Sequence, residues 1–545
     1  MNSPESGLPR ASVGFDRHRC ISVPYFQESS ENSSGELLPP QECPSEVRTG
    51  GTFRASLQFA LVSTCAYLVS FVKSLIVARY FGTTAAMDAF TLAFLVPNLL
   101  ATLLTGSCAL SLIPALAAAE RKGRDERSNT FRSGLFLLLA AALVLGAALA
   151  LFSREIMSIV APRFAVPKLL LSATLLRWCA LLVPLTVVYA FCSAELLSRR
   201  RYFAVAAAPV ISTAVSIAAI LLFPDVGVTI LPIGLVGGNL LQAIAVLSPA
   251  WKANSMLEPL RWWSFHVKSL ASQQLPLLLV SSLGVINMSV DQFMAGLLPS
   301  GRVAALGYAT SLNAVVVQVV VMAASWVVLP DFSQLAAKND LVALSARVRQ
   351  GVLGVVSLAI PVSVLIFVQG GKAVQLLFQY GKFDQVSTQM VSGIWLGYTV
   401  GLLPFSVAIM PLRFISVLRK NDFLAKIGLI ALPLNAALDY ILMLRMGPTG
   451  ISLSTSAVYV WNCFLVLLFV HRLVPHLFDW KLCSAILRAT AISAVGGALL
   501  YGSRQIFTAT VNSLVVGTIL FSALVLTLYY LAGLVEMPSR STFRI

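Results

Sequence analysis

Long apolar runs alternate with short polar segments along most of the chain. About fourteen of these runs reach the roughly 20 residues that a helix needs to cross a bilayer. Their approximate cores are 56–78, 86–118, 133–152, 169–197, 203–223, 228–250, 273–298, 303–330, 351–369, 388–412, 424–444, 449–471, 484–502 and 510–533. The pattern predicts an all-α, polytopic membrane protein of about fourteen transmembrane helices.

Composition narrows the class of protein further. Of the 545 residues, 57% are hydrophobic and 11% are charged, which excludes a soluble globular protein. The net charge of +16 comes from short basic clusters between apolar runs, so we expect no nucleic-acid partner. The eight cysteines have no metal-ligand spacing, and the sequence contains no P-loop or HExxH motif. We therefore expect neither an enzyme nor an organic cofactor.

The distribution of Lys and Arg predicts the orientation of the chain. With a cytoplasmic N-terminus, 28 of the 39 basic residues fall on the cytoplasmic side and nine on the other side. Residues 1–52 are polar and rich in Ser, Pro and Glu, which is typical of a disordered tail. We expect this tail and a short tail at 536–545 both to be cytoplasmic.

Similar sequences recur in the two halves of the chain. Pro114 and Pro330 end equivalent spans 216 residues apart, and Gly234 and Gly450 open later spans at the same offset. Six spans restore the starting side, so the repeat predicts two parallel lobes, at 53–252 and 264–474, around a central cavity. The last two spans, at 480–535, are additional to the repeat.

The second span carries polar residues that a lipid anchor would not need. Asp88 lies at its start, and Asn98 follows Pro97 near its middle. A charged residue and a proline kink in a span are typical of a helix that lines a wet cavity. Asn98 is either a substrate contact or a partner for a carbonyl group that the kink frees.

Five short stretches match a known family: ARYFG at 78–82, MDAF at 87–90, PNLL at 97–100, LFQYGKF at 377–383 and GISLS at 450–454. In their order and spacing they resemble the MurJ/MviN family, the lipid II flippases of the multidrug/oligosaccharidyl-lipid/polysaccharide exporter superfamily. The similarity covers about residues 53–535. It implies two six-helix lobes facing each other across a cavity, and a lipid-facing groove formed by the last two helices.

The family holds the substrate pyrophosphate with basic residues, and this sequence keeps few of them. Lys73 occupies the first-span position nearest the cavity, with a point charge in place of the arginine fork. The family's other basic positions are uncharged here, at Tyr67, Ala101, Thr102 and Ser311. Lys73 is either a phosphate ligand or an ion-pair partner for Asp88. Arg79 and Asp88 flank one turn, where an outer-gate ion pair or a substrate contact is expected.

Oxygen-bearing side chains in the second half form a candidate ion site. Asn435 and Asp439 are four residues apart and share one helix face. Asp291 lies in the seventh span, and Thr455 lies one turn beyond Ile451, whose backbone carbonyl is a further ligand. Hard cations prefer such oxygen ligands, and the resemblance implies a sodium ion at these positions. The alternative is hydrogen bonding between protonated acids, or an Asp291 placed near the membrane interface.

Together these features predict an ion-coupled flippase of the bacterial inner membrane. The expected substrate is a polyprenyl-diphosphate-linked glycan, lipid II by resemblance, moved by alternating access of a monomer in contact with membrane lipids. Three alternatives stand: a flippase for another lipid-linked glycan, a cation-coupled drug exporter and a membrane scaffold without transport.

Overall fold

The structure is a computed structural model that describes residues 49–106, 108–199, 201–254, 283–338, 340–474, 477, 480–503 and 511–531. These residues form helices joined by short turns, and no strand occurs among them. The predicted tails at 1–48 and 536–545 lie outside the described residues, whereas 49–52 already belong to a helix. The all-α prediction is confirmed.

The helices up to residue 254 follow the apolar runs of the sequence. In a bilayer a helix satisfies its own backbone hydrogen bonds, so each long apolar run folds this way. They are α1 (Thr49–Phe81), α2 (Ala85–Thr105), α3 (Cys108–Glu120), α4 (Arg124–Leu151), α5 (Ser153–Val160), α6 (Val166–Ala180), α7 (Leu182–Ser198), α8 (Tyr202–Leu222) and α9 (Ile230–Lys252). A 3₁₀ turn, Pro224–Thr229, joins the last two.

The second part of the described chain repeats this pattern. Its helices are α10 (283–296), α11 (Arg302–Val316), α12 (Ala323–Ala337), α13 (Leu341–Phe378), α14 (Gln385–Val417), α15 (Asn421–Met446), α16 (Pro448–Leu473), α17 (Trp480–Ser503) and α18 (Val511–Leu531). Twelve helical segments among the described residues are long and apolar enough to cross a membrane. Of two further predicted spans, the described helical residues are 283–296 in the seventh and Val511–Leu531 in the fourteenth.

Three of the predicted spans are interrupted helices. The second span divides at Gly106 into α2 and α3, and the fourth divides at Leu181, shortly before Pro184. In the eighth span a π-helical segment, Val317–Met322, joins α11 to α12. Proline removes a backbone donor, which weakens a helix there. Apolar periodicity alone does not show such breaks.

The helices pack into two bundles. In the first bundle, α2 packs against α6 and α7, α8 packs against α9, and α9 also contacts α7. In the second bundle, α14 packs against α13 and α16, α15 packs against α16, and α13 contacts α17. The two bundles meet where α2 contacts α11. Helix α1 reaches the second bundle through the ring of Phe71, which lies 5.9 Å from that of Phe378.

The two ends of the molecule differ in their contacts. We call the end at which α2 begins the Asp88 end. At the opposite end, called the Arg127 end, the buried carboxylate of Glu195 accepts hydrogen bonds from Arg127 (2.9 Å) and Asn254 (3.3 Å). Arg199 forms a further ion pair with Glu195, so this network ties α4, α7 and the end of α9 together within the first bundle.

Candidate functional site

The carboxylate of Asp88 joins the two bundles. It is fully buried, and its Oδ2 atom accepts hydrogen bonds from the backbone N–H of Gly301 (2.6 Å) and from Lys168 Nζ (3.0 Å). The Oδ1 atom accepts from the backbone N–H of Ala304 at 2.9 Å. The first N–H groups of a helix lack partners within the helix and carry partial positive charge. Asp88 therefore caps α11 from the other bundle. We call Asp88, Lys168, Gly301 and Ala304 the Asp88 seam.

The cation that pairs with Asp88 is Lys168. The predicted Arg79–Asp88 pair and the alternative Lys73–Asp88 pair are therefore wrong, because both carboxylate oxygens are taken by Lys168 and by α11. The side chain of Arg79 is exposed, and its carbonyl oxygen accepts from the N–H of Lys382 at 2.9 Å. Lys168 lies 80 residues from Asp88 in the sequence, so no local spacing could have revealed the pair.

Further hydrogen bonds surround the Asp88 seam and also cross between the bundles. The hydroxyl groups of Thr83 and Ser387 lie 2.6 Å apart. The Tyr308 hydroxyl donates to the carbonyl oxygen of Gly82 at 3.0 Å, and Arg163 donates to that of Leu297 at 2.9 Å. Together with the seam, these bonds hold the two bundles in contact at the Asp88 end.

Deeper in the molecule, α1 faces α11 at the level of Lys73. The Ser74 hydroxyl donates to the Ser311 hydroxyl at 3.4 Å, a long hydrogen bond between the two helices. Ser311 occupies a position where the resemblance expects an arginine. Lys73, next to Ser74, is partly buried. The role of Lys73 as a phosphate ligand stays a prediction.

Asn98 is partly buried on α2, and its side chain also stays a predicted substrate contact. The Thr102 hydroxyl donates to the Asn98 carbonyl oxygen at 2.8 Å, and the Thr105 hydroxyl donates in the same way to the carbonyl of Ala101. Both threonine hydroxyls therefore bond their own helix.

The predicted ion ligands of the second half come together in one buried cluster. Asn435 Nδ2 donates to Asp291 Oδ1 at 2.7 Å and to Asp439 Oδ2 at 2.9 Å. The Thr455 hydroxyl donates to Asp291 Oδ2 at 3.2 Å. Asn435 and Asp439 are fully buried, and Asp291 and Thr455 nearly so. Asn435 and Asp439 thus share one face of α15, as their spacing predicts. Asp291 is buried and does not lie at an exposed interface.

Sequence reasoning missed one member of this cluster. The Ser454 hydroxyl donates both to Asp439 Oδ1 and, at 2.8 Å, to the carbonyl oxygen of Ile451. That carbonyl also accepts from the Thr455 hydroxyl at 3.2 Å. Ser454 precedes the predicted ligand Thr455 and lies three residues after Ile451, a spacing that brings a serine hydroxyl back to a helix carbonyl. We call Asp291, Asn435, Asp439, Ser454, Thr455 and the Ile451 carbonyl the oxygen cluster.

The chemistry of the oxygen cluster fits a hard cation of low charge. No basic side chain in the described part of the chain forms an ion pair with Asp291 or Asp439. Asn435 Oδ1 is buried without a hydrogen-bond partner among the described residues. Two adjacent buried carboxylates repel each other unless a proton or cation lies between them. No group of three or more His, Cys, Asp or Glu side chains suited to a metal ion occurs among the described residues.

The fold and the buried polar residues define a multi-pass helical membrane protein of two bundles. A family model described as "Lipid II flippase MurJ" matches residues 77–521, so the chain belongs to the MurJ family. This membership confirms the resemblance seen in the sequence.

Comparisons with individual proteins agree with this assignment. A probable lipid II flippase MurJ of Buchnera aphidicola subsp. Acyrthosiphon pisum is 25% identical over 421 residues, covering 75% of this chain and 82% of that protein. A probable lipid II flippase MurJ of Aquifex aeolicus is 24% identical over 454 residues, covering 82% and 88%.

Solved structures show the same fold. A lipid II flippase MurJ in an inward closed conformation has a TM-score of 0.77 at 18% identity, covering 87% of this chain and 98% of that one. An inward-facing multidrug transporter of the MATE family has a TM-score of 0.63 at 13% identity, covering 78% and 98%.

Proposed function

We propose that this protein moves lipid II from the inner to the outer leaflet of the bacterial inner membrane by alternating access. The two bundles act as the two lobes, with the Arg127 end and both termini in the cytoplasm. The observation that carries the proposal is the Asp88 seam in a member of the MurJ family, because it closes one end of the interface between the bundles. Transport requires this seam to open while the opposite end closes.

The seam is suited to repeated opening. One lysine and two backbone N–H groups of α11 donate its hydrogen bonds to a single carboxylate. When the seam opens, water replaces these partners, so the net free-energy cost stays within a few kcal/mol. The headgroup enters between the bundles, while the polyprenyl tail stays in lipid along α17 and α18.

Lys73 supplies the charge that attracts the diphosphate. It lies on α1, next to the contact between Ser74 and Ser311. An ammonium group binds phosphate as a point charge without bidentate geometry. The loss of the family's other cations also supports a second candidate function, the transport of another polyprenyl-diphosphate-linked glycan.

The oxygen cluster couples transport to an ion gradient. A sodium ion bound by Asp291, Asp439, Thr455 and the Ile451 carbonyl balances one of the two carboxylate charges and lies between them, and Asn435 turns its free Oδ1 toward the ion. A cation bound in one conformation and not in the other shifts the equilibrium between them. The cluster lies within the second bundle, so the ion acts on the packing of α10, α15 and α16 without touching the substrate.

Complementation tests this function. Bacteria depleted of their own lipid II flippase receive the wild-type protein, Lys73→Ala or Lys73→Arg, with Arg177→Ala as a matched control. Arg177 is also a basic residue within a span, but it is exposed and bonds Ser153 at 3.0 Å. We expect growth with wild type, Lys73→Arg and Arg177→Ala, and lysis with Lys73→Ala. Lysis with the wild-type protein, present in the membrane at normal levels, would contradict lipid II as substrate and favour the other glycan.

A further inference from the structure

Buried amide oxygens without partners continue from the oxygen cluster toward the Arg127 end. They belong to Asn287 on α10 and Asn462 on α16, and neither Oδ1 atom has a hydrogen-bond partner among the described residues. A buried polar atom left without a partner costs about 1–3 kcal/mol. Two such atoms in one bundle therefore indicate bound water or a passing ion.

The packing of α10 fixes the direction of Asn287. Leu283 lies against Gly428 of α15, and Asp291 accepts a hydrogen bond from Asn435 of the same helix. Asn287 lies one turn from each of these residues, so it shares their face of α10. Its amide therefore faces α15, about 6 Å from the level of Asp291 at the rise of 1.5 Å per residue.

Asn462 has the same relation to the cluster on α16. Seven residues are nearly two full turns, so Asn462 lies on the helix face that carries Thr455. Thr455 faces Asp291, whereas the ring of Tyr459 packs against Phe405 of α14. Asn462 is thus about 10 Å from Thr455 along α16. Because α10 and α16 run in opposite directions, Asn462 lies on the same side of the cluster as Asn287, about 4 Å farther from it along the helix axis.

Both amides lie on the side of the cluster away from the Asp88 end. Helix α10 ends near the seam, where Leu297 and Ser300 accept hydrogen bonds from Arg163 and Lys168. Asn287 precedes Asp291 on this helix and is therefore farther from the seam.

We propose that Asn287 and Asn462 form an inner path through the second bundle, along which the monovalent cation of the oxygen cluster exchanges with the Arg127 end. The inference rests on the proposed ion coupling. Amide oxygens replace part of the hydration shell of a cation, as the carbonyl groups of channel filters do. The path lets the ion leave while the substrate occupies the space between the bundles.

Binding and release of ²²Na⁺ by the full-length protein in nanodiscs test this path. The variants are Asn287→Leu, Asn462→Leu and their combination, with Gln292→Leu as control. Gln292 is a buried amide without a partner for its Oε1 atom, but it lies next to Asp291 on a different face of α10. Asn462→Thr keeps an oxygen on the path and serves as a variant with little risk of misfolding.

We expect the equilibrium affinity for Na⁺ to stay within about twofold, because the ligands of the cluster remain. Release should slow at least about tenfold in the double leucine variant, since loss of an oxygen contact raises the barrier by about the free energy of one hydrogen bond. Gln292→Leu and Asn462→Thr should release Na⁺ at nearly the wild-type rate.

Two results would overturn the proposal, and they separate a failure of the path from a failure of the ion coupling. Wild type that binds Na⁺ and releases it at the same rate as the double variant would refute the path and leave the ion site intact. Wild type that binds no Na⁺ would refute both the coupling and the path.

Discussion

Gly82 lies against the backbone of Lys382 so closely that no side chain fits between them. A Cβ atom added to Gly82 would lie 2.3 Å from the Lys382 carbonyl oxygen. Gly381 has the same relation to the Arg79 carbonyl oxygen, also at 2.3 Å. Both glycines have positive φ, at 56° and 63°. The turn after α1 and the turn after α13 therefore touch backbone to backbone at the Asp88 end, and this contact is possible only with glycine at both positions.

Gly82→Ala should destabilise the closed Asp88 end for two reasons: the strain of a positive φ and the clash of the new Cβ atom with the Lys382 backbone. The matched control is Gly447→Ala, since Gly447 also has positive φ (60°) but no atom within 4 Å of an added Cβ. Gly447 has ψ −140°, outside the left-handed helical region, and backbone strain of this kind costs a non-glycine residue about 1–3 kcal/mol. We expect a clearly lower apparent melting temperature for Gly82→Ala than for Gly447→Ala. Equal losses would show that the close approach to Lys382 adds nothing.

Asp88→Ala should shift the protein toward a state open at the Asp88 end. The substitution removes the cap of α11, worth about 0.5–2 kcal/mol, together with the partly buried ion pair to Lys168. Spin labels at Asp225 and Tyr380, both exposed at this end, report the opening as a longer distance in a cysteine-free background. Lys168→Gln removes the ion pair and keeps the cap, so its shift should be smaller. An unchanged distance in Asp88→Ala would contradict the closing role of the seam.

Sodium should raise the thermal stability of the wild-type protein, because an ion that binds only the folded state stabilises it. Asp439→Asn should remove this effect, since it takes one of the two buried carboxylates from the cluster. Thr455→Val loses a single oxygen ligand, so Na⁺ should still stabilise this variant, but only at higher concentrations than in wild type. Unfolding is followed at constant ionic strength, with choline replacing sodium. Asp225→Asn, which changes an exposed acid, is the control, and an equal loss there would argue against the cluster.

Asp384 should make the Asp88 end sensitive to acid. The hydroxyl of Ser387 (2.7 Å) and its backbone N–H (2.8 Å) donate to this carboxylate and lower the pKa of Asp384. A carboxyl pKa lower in the folded state gives stability that is present above the unfolded value of about 3.9 and is lost as pH falls through the folded value. Because Asp384 is largely exposed, the effect should be small.

The comparison of wild type with Asp384→Asn isolates this effect. Their difference in apparent melting temperature should be constant between about pH 6 and 8 and shrink below about pH 4, as the wild-type carboxylate becomes protonated. Ser387 also contacts Thr83 of the other bundle. A weaker bond between Ser387 and Asp384 should therefore also weaken the contact between the bundles at the Asp88 end. A difference that does not change with pH would exclude the carboxylate charge as the cause.

Only part of the oxygen cluster was predictable from helical spacing, which determines which residues of one helix share a face, whereas the ligand roles of Asp291 and Thr455 rested on the resemblance to the family. Asn435 and Asp439, four residues apart, share one face of α15, and the Asn435 amide donates to both Asp439 and Asp291. Ser454 was missed, because spacing does not decide which of two adjacent hydroxyl residues bonds the carboxylate.

The Asp88 seam was only half predictable. The sequence marks Asp88 as a charge that needs a partner, but the partners belong to α6 and α11, which only tertiary packing brings near. Polar groups separated by 80 or more residues leave no periodic signal. The breaks at Gly106 and Leu181 were missed for a different reason, since the apolar runs continue through them.

Transport of fluorescent lipid II by the purified protein in liposomes tests the central claim most directly. We predict translocation above the rate of protein-free vesicles, faster with a Na⁺ gradient and lost in both Lys73→Ala and Asp88→Ala. Asp439→Asn should move lipid II without responding to the gradient. Vesicles in which the correctly folded wild-type protein leaves lipid II in its original leaflet would contradict the account.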